Sequence, residues 1–190
     1  MNNVTVLVLD RSGSMGEEIM GLDGRKAPKI GVVKEALRIL IAYKIRFFPQ
    51  DLIGAIAFGN HAEVLFEPTF PADPLIWKRL DGALRVDRDR TNMTEALAKA
   101  IGMLKDHYEQ YHKEIVLLSD GCANEGNPEL LPVLAMYART NRITIHTIGF
   151  GGGLTEFDEE LLRRLAERTH GGKYQRCRSL AGLVRALKTL

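Results

Sequence analysis

The distribution of apolar residues predicts a three-layer α/β fold, with a mostly parallel sheet and helices on both faces. Three observations predict it. Short apolar runs such as VTVLVL (residues 4–9) alternate with longer segments of helical period, the order that strand–helix–strand units produce. The runs are apolar at consecutive positions, as in strands buried on both faces. One pair of runs, LIGAIAF and AEVLF, is separated by only a few residues around Gly59-Asn60, which predicts a hairpin and one antiparallel edge strand.

Taken in order, residues 4–9 are β-branched and continuous and form the first strand. Residues 30–46 place Val33, Leu37, Leu40, Ile41 and Lys44 at helical spacing, giving a helix with a broad apolar face. Residues 52–58 are a second buried strand and 62–66 the antiparallel edge. A short helix over 74–84 begins near Asp73-Pro74, proline being favoured in a first turn. Residues 92–109 form a helix with Ala96, Leu97, Ala100, Ile101 and Leu104 on one face. IVLL (115–118) is a third buried strand, a helix covers 128–140 after Asn127-Pro128, and ITIHTIG (143–149) is another strand. A helix over 156–168 stops before Gly171-Gly172, a C-terminal stop signal. KYQRC (173–177) is a last short strand and 179–190 a closing helix. Residues 16–29, rich in glycine and charge, are the longest irregular stretch and are expected to be an exposed loop beside Asp10.

The 190 residues suit one domain spanning 1–190. Hydrophobic residues make up 45% and charged residues 26%, as in ordinary globular proteins. The net charge of +2, from 26 basic and 24 acidic side chains, gives no argument for nucleic acid or an anionic membrane as partner. No run reaches the ~18 apolar residues of a membrane span, and residues 4–9 lack the basic leader of a signal peptide. With Met1 first and two cysteines, Cys122 and Cys177, read as free thiols, a reducing cytoplasm is the expected compartment.

Chemistry concentrates at two strand ends. Asp10 ends VTVLVL and Asp120 ends IVLLS. In open α/β sheets functional groups gather past the carboxyl ends of strands, where the strand order reverses. Asp10, Ser12 and Ser14 carry oxygens at alternate positions, so in an extended turn they face one spot. Gly13 lets the chain turn tightly between the serines. Thr91, ahead of the helix containing Ala96-Leu97, offers another hydroxyl. All are hard oxygen donors, suited to Mg²⁺, with Mn²⁺ or Ca²⁺ as alternatives, rather than zinc.

Asp10-x-Ser12-x-Ser14 after an apolar strand, Thr91 ahead of Ala96-Leu97, and Asp120-Gly121 after another strand resemble the metal-ion-dependent adhesion site (MIDAS) of von Willebrand factor A domains. Asp51–Phe58 resembles the family's second strand and Ile148-Gly149 its fifth. Phe157-Asp158 through Leu161, with Thr169 through Tyr174, resembles its C-terminal signature. The resemblance covers essentially the whole chain. It implies a Rossmann-like doubly wound sheet of order 3-2-1-4-5-6 with strand three antiparallel. It also implies direct ligation by Ser12 and Ser14, and ligation by Thr91 either directly or through water. Asp10 and Asp120 would act through water or hydrogen bonds. A protein partner would supply a Glu or Asp carboxylate at the open position. Stand-alone intracellular members resemble adaptors, often beside AAA+ ATPases. That makes the expected function a metal-dependent protein-interaction module rather than an enzyme.

Each motif residue has an ordinary reading when taken singly. Asp10 is a turn former, Thr91 an N-cap, Ser12 and Ser14 loop residues, and Asp120-Gly121 a turn dipeptide. Five in one order outweigh these readings. Arg11 would repel a cation or help hold an acidic partner. Thr94 would replace Thr91 if the register shifted. The rival from another class is a Mg²⁺-dependent hydrolase or phosphotransferase using Asp10, and a third reading leaves the site structural. Cys122 has no base placed near it. His146 is expected inside the fold, and His61 and His107 on the surface. Gly151-Gly152-Gly153 lacks a phosphate-loop spacing, and Arg85, Arg88 and Arg90 alternate with Asp87 and Asp89 as a solvated loop.

Overall fold

The computed structural model describes residues 1–20, 25–87, 91–120, 125–151 and 158–190. The first strand, β1 (Asn3–Asp10), lies at the centre of a six-stranded sheet. It is followed by a 3-10 turn over Gly13–Gly16 and two three-residue strands, β2 (Glu18–Met20) and β3 (Lys26–Pro28). Then come α1 (Lys29–Phe47), β4 (Leu52–Phe58), β5 (Ala62–Thr69), α2 (Leu75–Ala83) and α3 (Met93–Leu104). The second half runs β6 (His112–Ser119), a 3-10 turn Pro128–Leu130, α4 (Leu131–Thr140), β7 (Ile143–Phe150), α5 (Glu159–Glu167), β8 (Tyr174–Cys177) and α6 (Leu180–Thr189).

The sheet order is β5-β4-β1-β6-β7-β8, with only β5 antiparallel to its neighbour. This is the predicted order, counting the six strands of the main sheet. Alternation along each strand splits the core in two. Val4, Val6 and Val8 join Ile115 and Leu117 under α3, α4 and α5, while Leu7 and Leu9 join Val116 and Leu118 under α1, α2 and α6. Consecutive apolar residues in β1 and β6 thus serve two different cores. Among the described residues no helix is long and apolar enough to cross a membrane.

Four departures from the predicted elements have local causes. The stretch expected to be a loop holds the β2–β3 hairpin, with Ile19 and Lys29 buried; residues 21–24 of that stretch lie outside the described ones. The helix predicted over 92–109 starts one residue later, because the Asn92 side chain caps it by accepting from Glu95 N–H at 3.1 Å. It ends at Leu104, ahead of Tyr108, which adopts φ 62°. The helix predicted from 128 begins as the 3-10 turn, and the α-helix starts with Leu131-Pro132 in its first turn. The edge strand runs on to Thr69 through Pro68, with register shifts around Ala55. The Pro68 ring lies 3.2 Å from where a side chain on Gly54 would stand, so glycine on β4 is what admits proline at the edge.

The predicted stop at Gly171-Gly172 is present. Gly171 has φ +76°, and a Cβ on Gly172 would meet backbone oxygens of Ala166 and Ile145. Thr169 is buried there, its hydroxyl accepting from Ile145 N–H at 2.9 Å. His146 is buried and accepts from Lys173 N–H, while His61 and His107 are exposed as expected. Cys177 is a free, buried thiol. Cys122, Gly152, Gly153 and Phe157 lie outside the described residues, as do Arg88, Asp89 and Arg90.

Candidate metal centre

The chain winds outward from β1 through β4 to β5, and from β6 through β7 to β8, so the order reverses between β1 and β6. Asp10 and Asp120 stand at that reversal. Leu9 pairs with Leu118, which sets Asp10 beside Ser119, and the Ser119 hydroxyl donates to Asp10 Oδ2 at 2.6 Å. Asp10 Oδ1 accepts from Ser12 N–H at 2.8 Å. Both oxygens of a carboxylate that is 0% exposed are therefore engaged.

After Asp10 the chain is pinned by Arg11 N–H to the Phe58 carbonyl, and Ser12 accepts Met15 N–H at 3.0 Å to start the 3-10 turn. Met15 is fully buried beneath that turn, and its anchoring presents Ser12 and Ser14 together. Their hydroxyl oxygens are 3.2 Å apart, and Ser14 Oγ donates to Asp120 Oδ1 at 2.7 Å. Thr91 is buried next to Asn92, whose N–H donates to the Gly59 carbonyl just beyond β4 at 2.7 Å. That anchor puts Thr91 at the same end of the sheet. Hydrogen bonds join four of the five predicted residues, and backbone placement adds the fifth. Thr94 turns away, donating to the Asn127 carbonyl. Arg11 pairs with Glu63 at 2.9 Å.

Sequence reasoning missed Ser119, Glu17 and Lys29. Lys29 is the first residue of α1 and 2% exposed. Its Nζ donates to Asp120 Oδ2 at 2.9 Å and to Glu17 at 2.8 Å, and its backbone N–H donates to the Glu17 carbonyl. A cation in the first turn opposes the helix dipole, and a buried ammonium is costly without a partner. Asp120 compensates both.

The electrostatics follow from burial. Desolvation, then the charge on Asp120, pushes the Asp10 carboxyl from 3.8 up to about 6, against the pull of its hydrogen bonds from Ser119 and Ser12. Desolvation likewise raises Asp120, opposed by Ser14 and Lys29. Two carboxylates held in a dry pocket are poorly compensated by one ammonium.

Among the described residues no three His, Cys, Asp or Glu side chains converge to hold a metal ion. The donor set here is two carboxylates plus hydroxyls, all hard oxygen. For Mg²⁺ at ~2.0–2.1 Å from its ligands, adjacent corners of an octahedron are ~2.9–3.0 Å apart. The spacing of 3.2 Å between Ser12 and Ser14, the two hydroxyls that would ligate directly, lies close to that edge. The residues fit such an ion.

Two family models described as von Willebrand factor type A domain match residues 5–123 and 80–175. No curated protein matches the chain. Among solved structures, the chain is similar to a von Willebrand factor type A protein from Catenulispora acidiphila, at 24% identity and TM-score 0.77, covering 99% of this chain and 41% of that one. The chain thus spans less than half the length of that relative. It is similar to the SpRpn10 VWA domain at 18% identity and TM-score 0.76, covering 100% of this chain and 96% of that one. It is also similar to proximal thread matrix protein 1 from the mussel byssus, a structure with a zinc-occupied MIDAS motif. There the identity is 18% and the TM-score 0.73, covering 99% of this chain and 44% of that one.

Proposed function

Because the chain belongs to the von Willebrand factor type A domain family, whose members are generally protein-interaction modules, we propose that it binds a protein partner's Glu or Asp carboxylate through a divalent ion, Mg²⁺ foremost, held by Asp10, Ser12, Ser14, Thr91 and Asp120. The observation that carries this reading is the pair of Ser12 and Ser14 hydroxyls, 3.2 Å apart, oriented by the buried Asp10 and Asp120 carboxylates. A bound Mg²⁺ would supply an electrophilic centre for an anionic ligand. Ser12 and Ser14 would hold it directly as neutral donors, so little negative charge is spent on the ion. Asp10 fixes the Ser12 backbone and Asp120 the Ser14 hydroxyl, which orients both donors.

The mussel protein's zinc-occupied MIDAS is a precedent within the same fold for a metal at such a motif. Recognition is favoured over hydrolysis by the state of Asp10. A nucleophile needs a free oxygen aimed at substrate and a base beside it, whereas Asp10 is buried with both oxygens accepting. The Lys29 ammonium, beside Asp120, is committed to Asp120 and Glu17. Cytoplasmic residence and a place beside an AAA+ ATPase assembly complete the proposal.

The test is Mn²⁺ and Mg²⁺ titration by calorimetry on wild type, Ser12→Ala and Ser14→Ala, with circular dichroism to check the fold. The variants should keep the fold and lose metal binding by ~100-fold or more, in line with loss of a direct ligand where outer partners alone are worth 10–100-fold. Full metal affinity in both variants would overturn the reading, as would partner association that survives EDTA.

A further inference from the structure

Lys29 has no role in the arrangement just proposed, yet it is built into it. Its ammonium is buried and bonded to an oxygen of Asp120, the carboxylate whose other oxygen orients Ser14. The second partner, Glu17, has a side chain 61% exposed, while the Asp120 side chain is 0% exposed. Water screens the Glu17 charge more than the Asp120 charge. Among the described residues, Asp10 and Asp120 are the buried negative charges here and Lys29 the buried positive one that offsets them. Glu17, the residue between the 3-10 turn and β2, fixes the position of Lys29 through its carbonyl and carboxylate.

We propose that Lys29 is a resident counter-cation that holds down the affinity for metal alone and raises the affinity of the loaded site for an anionic ligand, making metal uptake and carboxylate capture cooperative. The inference rests on the metal-binding reading above. With Lys29 present, an arriving divalent ion meets the repulsion of a buried positive charge, and a carboxylate that follows it meets that charge's attraction. Without Lys29 the ion loses that repulsion, and the carboxylate loses that attraction. The same residue therefore acts with opposite signs on the two binding steps. A purely structural lysine would weaken both when removed.

The experiment measures Mn²⁺ affinity by calorimetry, then acetate affinity for the Mn²⁺-loaded protein by water-proton relaxation. It compares wild type, Lys29→Met, Lys29→Gln and Lys29→Arg. Lys29→Gln retains a donor for Asp120 and covers the case in which Lys29→Met does not fold. Met and Gln should bind Mn²⁺ tighter by ~10-fold and acetate weaker by ~5-fold or more, on the scale of one partly screened charge. Arg should restore both values to within ~2-fold, as a charge-preserving change must if charge is the cause. Unchanged or weaker Mn²⁺ binding in both uncharged variants overturns the inference while leaving the metal site standing, as does unchanged acetate binding. Arg behaving like Met overturns it too, in favour of shape. Both uncharged variants unfolded at every Mn²⁺ concentration would assign Lys29 a structural role only and overturn it as well. Wild type that takes up no Mn²⁺ overturns the metal reading and this inference together.

Discussion

Replacing Asp10 with asparagine is expected to make the metal-free protein more stable at neutral pH. The wild-type carboxyl is fully buried, and its pKa rises from 3.8 to about 6. At about 1.4 kcal/mol per pH unit, holding it ionised inside the fold costs about 3 kcal/mol. Asparagine has the same shape. Its carbonyl can accept Ser12 N–H, and its amide can donate to Ser119 Oγ once that hydroxyl turns. Allowing for a weaker neutral pair of hydrogen bonds, the gain is about 1–3 kcal/mol. In a domain of this size that is roughly 2–4 °C in Tm per kcal/mol.

The gain has a pH signature. Between 3.8 and about 6 the folded protein binds the Asp10 proton more tightly than the unfolded chain does. The wild-type penalty is therefore fully present above about pH 6, shrinks as pH falls through that window, and is gone below 3.8. The difference between variant and wild type should close over the same range. Urea denaturation in EDTA at neutral pH and at about pH 4 measures it, and adding Mg²⁺ at neutral pH should stabilise wild type only. A variant less stable than wild type at neutral pH, or a difference that ignores pH, would refute the reasoning.

Two further expectations concern the scaffold. Gly172→Ala places a Cβ against the backbone oxygens of Ala166 and Ile145 and the Thr169 hydroxyl. It should cost about 3 kcal/mol or more, read as a fall in the urea midpoint, and a midpoint unchanged from wild type would contradict the packing. In a Cys122→Ser background, Cys177, whose thiol burial pushes up to about 11, should react with an aromatic disulfide reagent ~100-fold slower than in urea; fast native labelling would contradict its burial.

The legible parts of the fold are those whose signal is local. β1, β4, β6 and β7 are continuous apolar runs because each supplies alternate residues to two cores, and the β4–β5 hairpin is announced by Gly59-Asn60. The motif residues were legible because Asp10, Ser12 and Ser14 are neighbours in sequence and Asp120 ends its own strand. Lys29 was not. Its partner is 91 residues away, and a lysine opening a helix has no periodicity to mark it. β2 and β3 were missed for a similar reason. Three residues each is too short for alternation to register, and their place depends on the anchor between Lys29 N–H and the Glu17 carbonyl. The end of the helix at Leu104 was overrun because the residues that follow carry no glycine or proline to announce a stop.

The two margins of the sheet set a limit on how the domain can be gripped. On one side β5 carries Pro68, which has no amide hydrogen to lend, and its pairing with β4 shifts register around Ala55. On the other, β8 is four residues long. Neither margin offers a long row of open amides and carbonyls onto which a foreign polypeptide could zip. Stacking of copies side by side is discouraged for the same reason. A partner held through the ion proposed above would be met instead by a few side chains at one pole of the sheet, not by a backbone ribbon.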